Sequence, residues 1–356
     1  MQRADRIGWI EWARALGALG VVLLHVFTST SLRIMDSISY TRLAAYNAVG
    51  IVAGRWAVPA FFMITGYLLL DPAKEVGPKK ARKYAMRMVG VLLTFGVFFS
   101  LLEEIALCRE SGAPLGASVA LRAVVDVLTA SSWDHLWYVY ALAVVYLLVP
   151  PIRKISNQLG NRKFALLTTA LFVGVLVVPT LLRLWLFLGG SDVYATEDGP
   201  IAFVQNVAIG ITCFCVGGCM RWTRGNVFAI AVGLLSLLVM LGSSIACTLA
   251  KEGDLGFIFL QGSCFACAYA LGVLSLLQRV LGPTTVRTNS VVDYLAKDSF
   301  GIYLLHPLFV HLILMVFDPL LLPPILFEAL LYVAVVAGSI VLTRLLRHVP
   351  LLGGLL

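Results

Sequence analysis

The sequence predicts an all-α, polytopic membrane bundle of about ten transmembrane helices with both termini cytoplasmic. Three observations carry that expectation. The 356-residue chain is 60% hydrophobic and only 13% charged, with a mean hydropathy of +0.92, whereas a soluble domain is nearer ~25% charged. Apolar runs of roughly 20 residues, each enough to cross about 30 Å of hydrocarbon, recur along the chain. Basic residues gather in alternate connections, as the positive-inside rule requires. The whole chain, 1–356, reads as a single integral-membrane domain with no stretch left for a separate soluble unit.

The expected spans lie near 8–28, 46–71, 88–107, 135–152, 164–188, 201–220, 227–250, 257–281, 299–317 and 325–346. Their connections are short and rich in Gly, Pro, Asp or Asn, as in DPAKEVGPKK, SDVYATEDGP and GPTTVRTN. The first span, IEWARALGALGVVLLHV (10–26), is interrupted by Glu11, Arg14 and His25. The second, GRWAVPAFFMITGYLLL (54–70), holds Arg55 in its outer half. Its Pro59 kinks a helix and frees a carbonyl, and Thr65-Gly66 permits close packing. The longest break is 108–134, where 117–130 reads as an amphipathic helix at the surface. The fourth span opens with WDHLWYVYALAVVYLLVP (133–150). Its Trp133, Trp137 and Tyr138 suit either an interfacial aromatic belt or a substrate-lining wall. The ninth contains SFGIYLLHPLFVH (299–311), with His306 and His311 inside the apolar run and Pro307 disturbing the backbone at His306.

With the N-terminus inside, nineteen Lys and Arg residues fall on inner segments. Only Arg33, Arg42, Arg109, Arg122 and Lys251 fall on outer ones, and Arg14, Arg55 and Arg183 stay within spans. That bias sets the orientation of a multi-pass protein of the cytoplasmic (inner) membrane. It also accounts for the net charge of +8 through basic loops facing anionic lipid headgroups, so nucleic acid is not an expected partner. Six of the seven cysteines lie in apolar runs, and Cys264-x-x-Cys267 lacks a second pair or nearby histidines. They read as small packing residues, and no metal site is expected. A cleaved signal peptide is not expected either, because Arg14 interrupts the first apolar core.

Ionisable groups in lipid are costly, about 2.5–3.5 kcal/mol for a central Arg or Asp, which makes the first span a functional candidate. Glu11 and Arg14 are three residues apart and can pair on one helix face. His25 lies eleven residues beyond Arg14, about three full turns, so the two share a face roughly 16–17 Å apart. A plainer reading has Glu11 and Arg14 snorkelling as an ion pair, with His25 a satisfied core histidine. On the residues alone, a transporter or flippase for a small organic anion or lipid-linked sugar would use the same buried charges.

Taken together, the motifs resemble the acyltransferase-3 family of bacterial membrane acyltransferases, whose members modify cell-surface sugars. The family's first-helix pattern of acid, Arg and His is matched by Glu11, Arg14 and His25. Its VPxFFxxSGYLL element resembles Val58 to Leu69, including Thr65 and Tyr67, and its basic loop resembles KKARKYAMR (79–87). HLWY…Y…P is matched by His135, Leu136, Trp137, Tyr138, Tyr146 and Pro150, and GIYLLHP by 301–307. Glu11 stands where Asp is commoner, Thr65 where Ser is usual and Ala15 where Gly often follows the Arg; none of these removes a titratable group. The chain is similar to the stand-alone type, without a fused esterase-like domain.

The resemblance implies an O-acyltransferase that moves an acyl group, acetyl by preference, from cytoplasmic acyl-CoA to a hydroxyl of a cell-surface or lipid-linked sugar. Acyl-CoA is then a co-substrate, and no bound cofactor is expected. Such chemistry needs a base for the hydroxyl and support for an oxyanion. Imidazole titrates near neutral pH, which makes His25 the expected base, with Arg14 and Glu11 organising the donor side. Arg55, Thr65, Tyr67, His135, Trp137, Tyr138 and His306 are the expected substrate-binding residues. Lys79, Lys80, Arg82, Lys83 and Arg87 offer a cationic surface for the donor's phosphates.

Overall fold

A computed structural model describes residues 7–189, 199–250, 258, 262–282 and 290–356. Arg3, Arg6, Lys251 and Arg287 of the charge pattern lie outside the described residues. So do most of the SDVYATEDGP and GPTTVRTN connections and the start of the eighth span.

The first span is one unbroken helix, α1 (Gly8–Ile34), with Glu11 in its first turn, where the helix dipole favours an acid. The second is two helices, α2 (Tyr40–Gly54) and α3 (Ala57–Leu69). Their junction at Arg55–Trp56 follows from Pro59, which has no amide to donate to the Arg55 carbonyl four residues back. Helical bonding resumes with the Ala60 amide on the Trp56 carbonyl, 3.0 Å.

The third span joins α4 (Pro78–Val91) to α5 (Val97–Ser111) through a π-helical turn, and Gly112 ends it with a left-handed φ of 70°. The surface helix expected at 117–130 is α6 (Ala117–Leu128), whose Leu121 and Leu128 remain exposed while Ala123 and Val127 are buried.

Nine helical stretches among the described residues are long and apolar enough to cross a membrane. One of them, 137–188, has 52 residues, about 78 Å at 1.5 Å per residue and far more than ~30 Å of hydrocarbon requires. It comprises α7 (Trp137–Phe172), a second π turn and α8 (Val178–Leu188), and it is broken at Gly160, whose φ of 69° and ψ of 171° are not helical. Contacts on each side of Gly160 show that the chain reverses there. Before it, Arg153 donates to the Asp71 carbonyl at 3.0 Å, beyond the inner end of α3. After it, Phe164 packs on Trp222 and Arg183 reaches Gln205 at the other end. The fourth and fifth expected spans are therefore the arms 137–159 and 161–188, which makes ten candidate crossings among the described residues.

The remaining spans are α9 (Gly199–Cys219), α10 (Val227–Ala250), α11 (Cys264–Leu281), α12 (Ser290–Val316) and α13 (Pro324–Arg347). No strand occurs among the described residues. Helix α1 packs chiefly on α12 and α2, and α3 lies against α9. The α3–α9 crossing is backbone on backbone: a Cβ on Gly66 would overlap the Phe214 carbonyl, and one on Gly217 the Met63 carbonyl. None of the seven cysteines, all of them among the described residues, forms a disulfide, and Cys267 Sγ lies 3.5 Å from Cys213 Sγ. Residues from both ends of the described chain, Glu11 and Leu356, meet at one cavity, on the same side of the bundle.

Candidate active site

The continuity of α1 keeps Arg14 and His25 at the depths their spacing implies, and each joins a different group of residues. At the inner level, Arg14 Nη1 pairs with Glu11 Oε1 at 3.6 Å. Both line a cavity of about 490 Å³. Phe61, Ile64 and Thr65 of α3 form one wall, and Arg87 and Met88 of α4 another. Tyr138, Leu142 and Tyr146 come from α7, Lys297, Phe300 and Tyr303 from α12, and Arg347 from the end of α13.

Four cations, Arg14, Arg87, Lys297 and Arg347, thus face this space against one lining side-chain carboxylate, Glu11. Arg347 is steadied by buried Asp298, which also holds Arg344 at 3.1 Å. Arg87 donates through Nε to the Leu355 carbonyl at 3.1 Å, and its guanidinium lies over Phe300. A cationic cup of this size suits a polyanionic ligand.

Three aromatic rings roof the cavity. Phe61, Tyr138 and Tyr303 touch one another, with centroids 5.3–6.5 Å apart. Beyond them lies a second polar group. His25 and His306 stand 4.9 Å apart, His135 and His306 5.9 Å, and His135 and Tyr303 6.0 Å, ring to ring. His306 and His135 are buried, while His25 is half-buried. Arg55, at the break between α2 and α3, lies within electrostatic reach of His25. Trp133 continues outward, stacked on Phe99 and against His311.

Hydrogen bonds hold this outer group. His135 belongs to a short 3₁₀ turn, Asp134–Leu136, ahead of α7, and its Nε2 donates to the Leu304 carbonyl at 3.3 Å. In return the Tyr303 hydroxyl donates to the His135 carbonyl. Tyr303 therefore belongs to both levels: it lines the cavity, roofs it and braces the histidines.

Of the residues expected from sequence, Glu11, Arg14, Thr65, Tyr138 and Arg87 line the cavity, and His25, Arg55, His135 and His306 form the outer group. Tyr67 and Trp137 stand apart from both. Tyr67 packs edge-on against Trp9 under Arg221, and Trp137 lies against Phe62. Lys79, Lys80, Arg82 and Lys83 are exposed on α4 and do not line the cavity. Tyr303, Phe61, Lys297 and Arg347 were not foreseen. Tyr303 did carry a local signal, since it lies one turn before His306 on the same face.

The sequence model of the acyltransferase-3 family, described as an acyltransferase domain, matches residues 7–344. No curated protein and no solved structure matches the chain. The match takes in nearly the whole helical bundle and both polar levels except for Arg347, so the chain belongs to the acyltransferase-3 family and is a multi-pass membrane acyltransferase.

Proposed function

We propose that the protein is an O-acyltransferase of the cytoplasmic membrane, moving an acetyl or similar short acyl group from acyl-CoA to a sugar hydroxyl at the cell surface or on a lipid carrier. The observation that carries this reading is the two-level arrangement along α1, with Tyr303 shared between the levels. The cationic cup meets the needs of a donor bearing phosphates, which exists in the cytoplasm. Arg14, Arg87, Lys297 and Arg347 are its ligands, and Glu11 orients Arg14. The exposed Lys79, Lys80, Arg82 and Lys83 extend the attraction outward along α4 and raise the local donor concentration.

In the reaction, His25 takes the proton of the acceptor hydroxyl as the oxygen attacks the thioester carbonyl. The tetrahedral oxyanion is supported by Arg55. Its collapse breaks the carbon–sulfur bond, and the leaving thiolate takes the proton from His25. The aromatic roof of Phe61, Tyr138 and Tyr303 limits water at the thioester and so favours transfer over hydrolysis. The in-span groups Glu11, Arg14, His25 and Arg55, on which a transporter reading would draw, each have a task in this scheme.

The purified protein, given acetyl-CoA labelled in the acetyl group and mixed glycan acceptors, tests the reading. We expect label on an acceptor, or free acetate where no acceptor fits. His25→Ala is expected to lower the rate by at least about 100-fold at unchanged expression, as loss of a general base does. Label that crosses a membrane without chemistry would support transport instead, and near-normal turnover in His25→Ala would remove His25 from the base role.

A further inference from the structure

Pro307 lies inside α12, directly after His306. Proline has no amide hydrogen. In an uninterrupted helix the amide of residue 307 would donate to the Tyr303 carbonyl, four residues back. That carbonyl is instead met by His306 Nδ1 at 2.7 Å, with the Ile302 carbonyl a longer second contact at 3.2 Å. A carbonyl oxygen only accepts, so Nδ1 is the nitrogen that carries the hydrogen, and Nε2 of the neutral ring is bare.

His306 Nε2 is also buried and has no hydrogen-bond partner among the described residues. Buried polar atoms without partners are uncommon, and one on an imidazole beside a second imidazole calls for a functional account. The neighbour is His25, whose ring centroid is 4.9 Å away at an interplanar angle of 51°. Hydrogen bonds between catalytic groups are commonly long in the unliganded enzyme and close in the substrate complex.

We propose that His306 is a positioning residue for His25, locked by Pro307 in the form with a hydrogen on Nδ1. In the reacting complex its bare Nε2 accepts the N–H of the His25 ring. The other nitrogen of His25 then faces the acceptor hydroxyl without a proton. The inference rests on the acyl-transfer reading, and it adds the device that selects which nitrogen of His25 acts. The balance is unchanged by it: the hydroxyl proton passes to His25, the new carbon–oxygen bond forms, the carbon–sulfur bond breaks and the thiolate takes the proton. His306 ends the cycle with the hydrogen it began with.

Nitrogen-15 NMR of the full chain labelled on histidine reads this directly. The protein has five histidines, and loss of one signal in His306→Gln assigns the residue. Wild type is expected to show His306 protonated on Nδ1 and bare on Nε2. Pro307→Ala returns an amide to the Tyr303 carbonyl, so the signal should move toward the Nε2–H form. Acyl transfer should then fall about tenfold or more, while the thermal midpoint does not fall, because proline disfavours a helix interior. Tyr303→Phe keeps the carbonyl and should leave the tautomer as in wild type.

An Nε2–H or doubly protonated His306 in wild type overturns the proposal. So does a Pro307→Ala protein with an unchanged tautomer, or with a changed tautomer and an undiminished rate. If Pro307→Ala fails to fold, the wild-type spectrum still decides the tautomer on which the proposal stands, and an Nε2–H or doubly protonated ring overturns it. The tautomer is read without turnover, so a wild type that transfers no acyl group defeats the acyl-transfer reading separately.

Discussion

Arg14 has a side chain about one-third exposed, paired at 3.6 Å with a carboxylate from its own helix. Such a pair contributes little to stability, within about 0–1 kcal/mol. Its value is positional, because Glu11 holds the guanidinium toward the cavity in which a donor would lie. Lysine in its place keeps the charge but loses the planar fork that grips a phosphate with two hydrogen bonds. Arg14→Lys is therefore expected to raise the KM for acetyl-CoA about tenfold, equivalent to ~1.4 kcal/mol, with little change in thermal midpoint. An unchanged KM would assign Arg14 a structural role. At this scale, the step from Arg14 to His25 was legible because both lie on one straight helix, whose geometry is local. Tyr303 was not, since its hydroxyl meets the carbonyl of His135, 168 residues away in sequence. Lys297 and Arg347 read only as inner basic residues for the same reason: the helices that bring them to the cavity are set by tertiary packing.

Among the elements, the consequences of prolines and glycines divide by whether they act locally. Pro59 foretold a disturbance in the second span, and the break falls at Arg55–Trp56 because the missing amide would have bonded four residues back. That places Arg55 at a helix junction beside His25. Gly160 reverses the chain inside a stretch that is otherwise helical from 137 to 188, between the two spans expected there. Gly66 acts at a distance: sequence marks it as a site of close packing without saying what packs there, and the partner is the Phe214 carbonyl of α9. A methyl group added at that position meets the rigid backbone of Phe214. Gly66→Ala is expected to cost about 1–3 kcal/mol or more, seen as a lower thermal midpoint in detergent, and to displace Thr65 from the cavity wall. An unchanged midpoint would mean that α3 and α9 separate more easily than their packing implies.

Over the whole molecule, charge and shape agree. Basic side chains of distant segments converge at one end: Arg153 reaches the Asp71 carbonyl and Arg221 the Asp71 carboxylate, 2.9 Å away, while Arg87, Lys297 and Arg347 surround the cavity. The ten-span, all-helical architecture was legible in the sequence because hydropathy and charge bias are properties of whole segments. Which loop cations face the cavity was not, because residues 79–83 and Arg87 share one amphipathic helix, and only its docking shows that Arg87 alone turns inward. In the proposed reaction, one polar line through the bundle joins an inner donor to an outer acceptor. Inverted membrane vesicles test it most directly: their inner face is exposed to the medium, and a glycan acceptor can be sealed inside. With labelled acetyl-CoA added to the medium alone, label is expected on the enclosed acceptor and is expected to be lost in His25→Ala. Label confined to acceptors in the medium, with none inside, would contradict it.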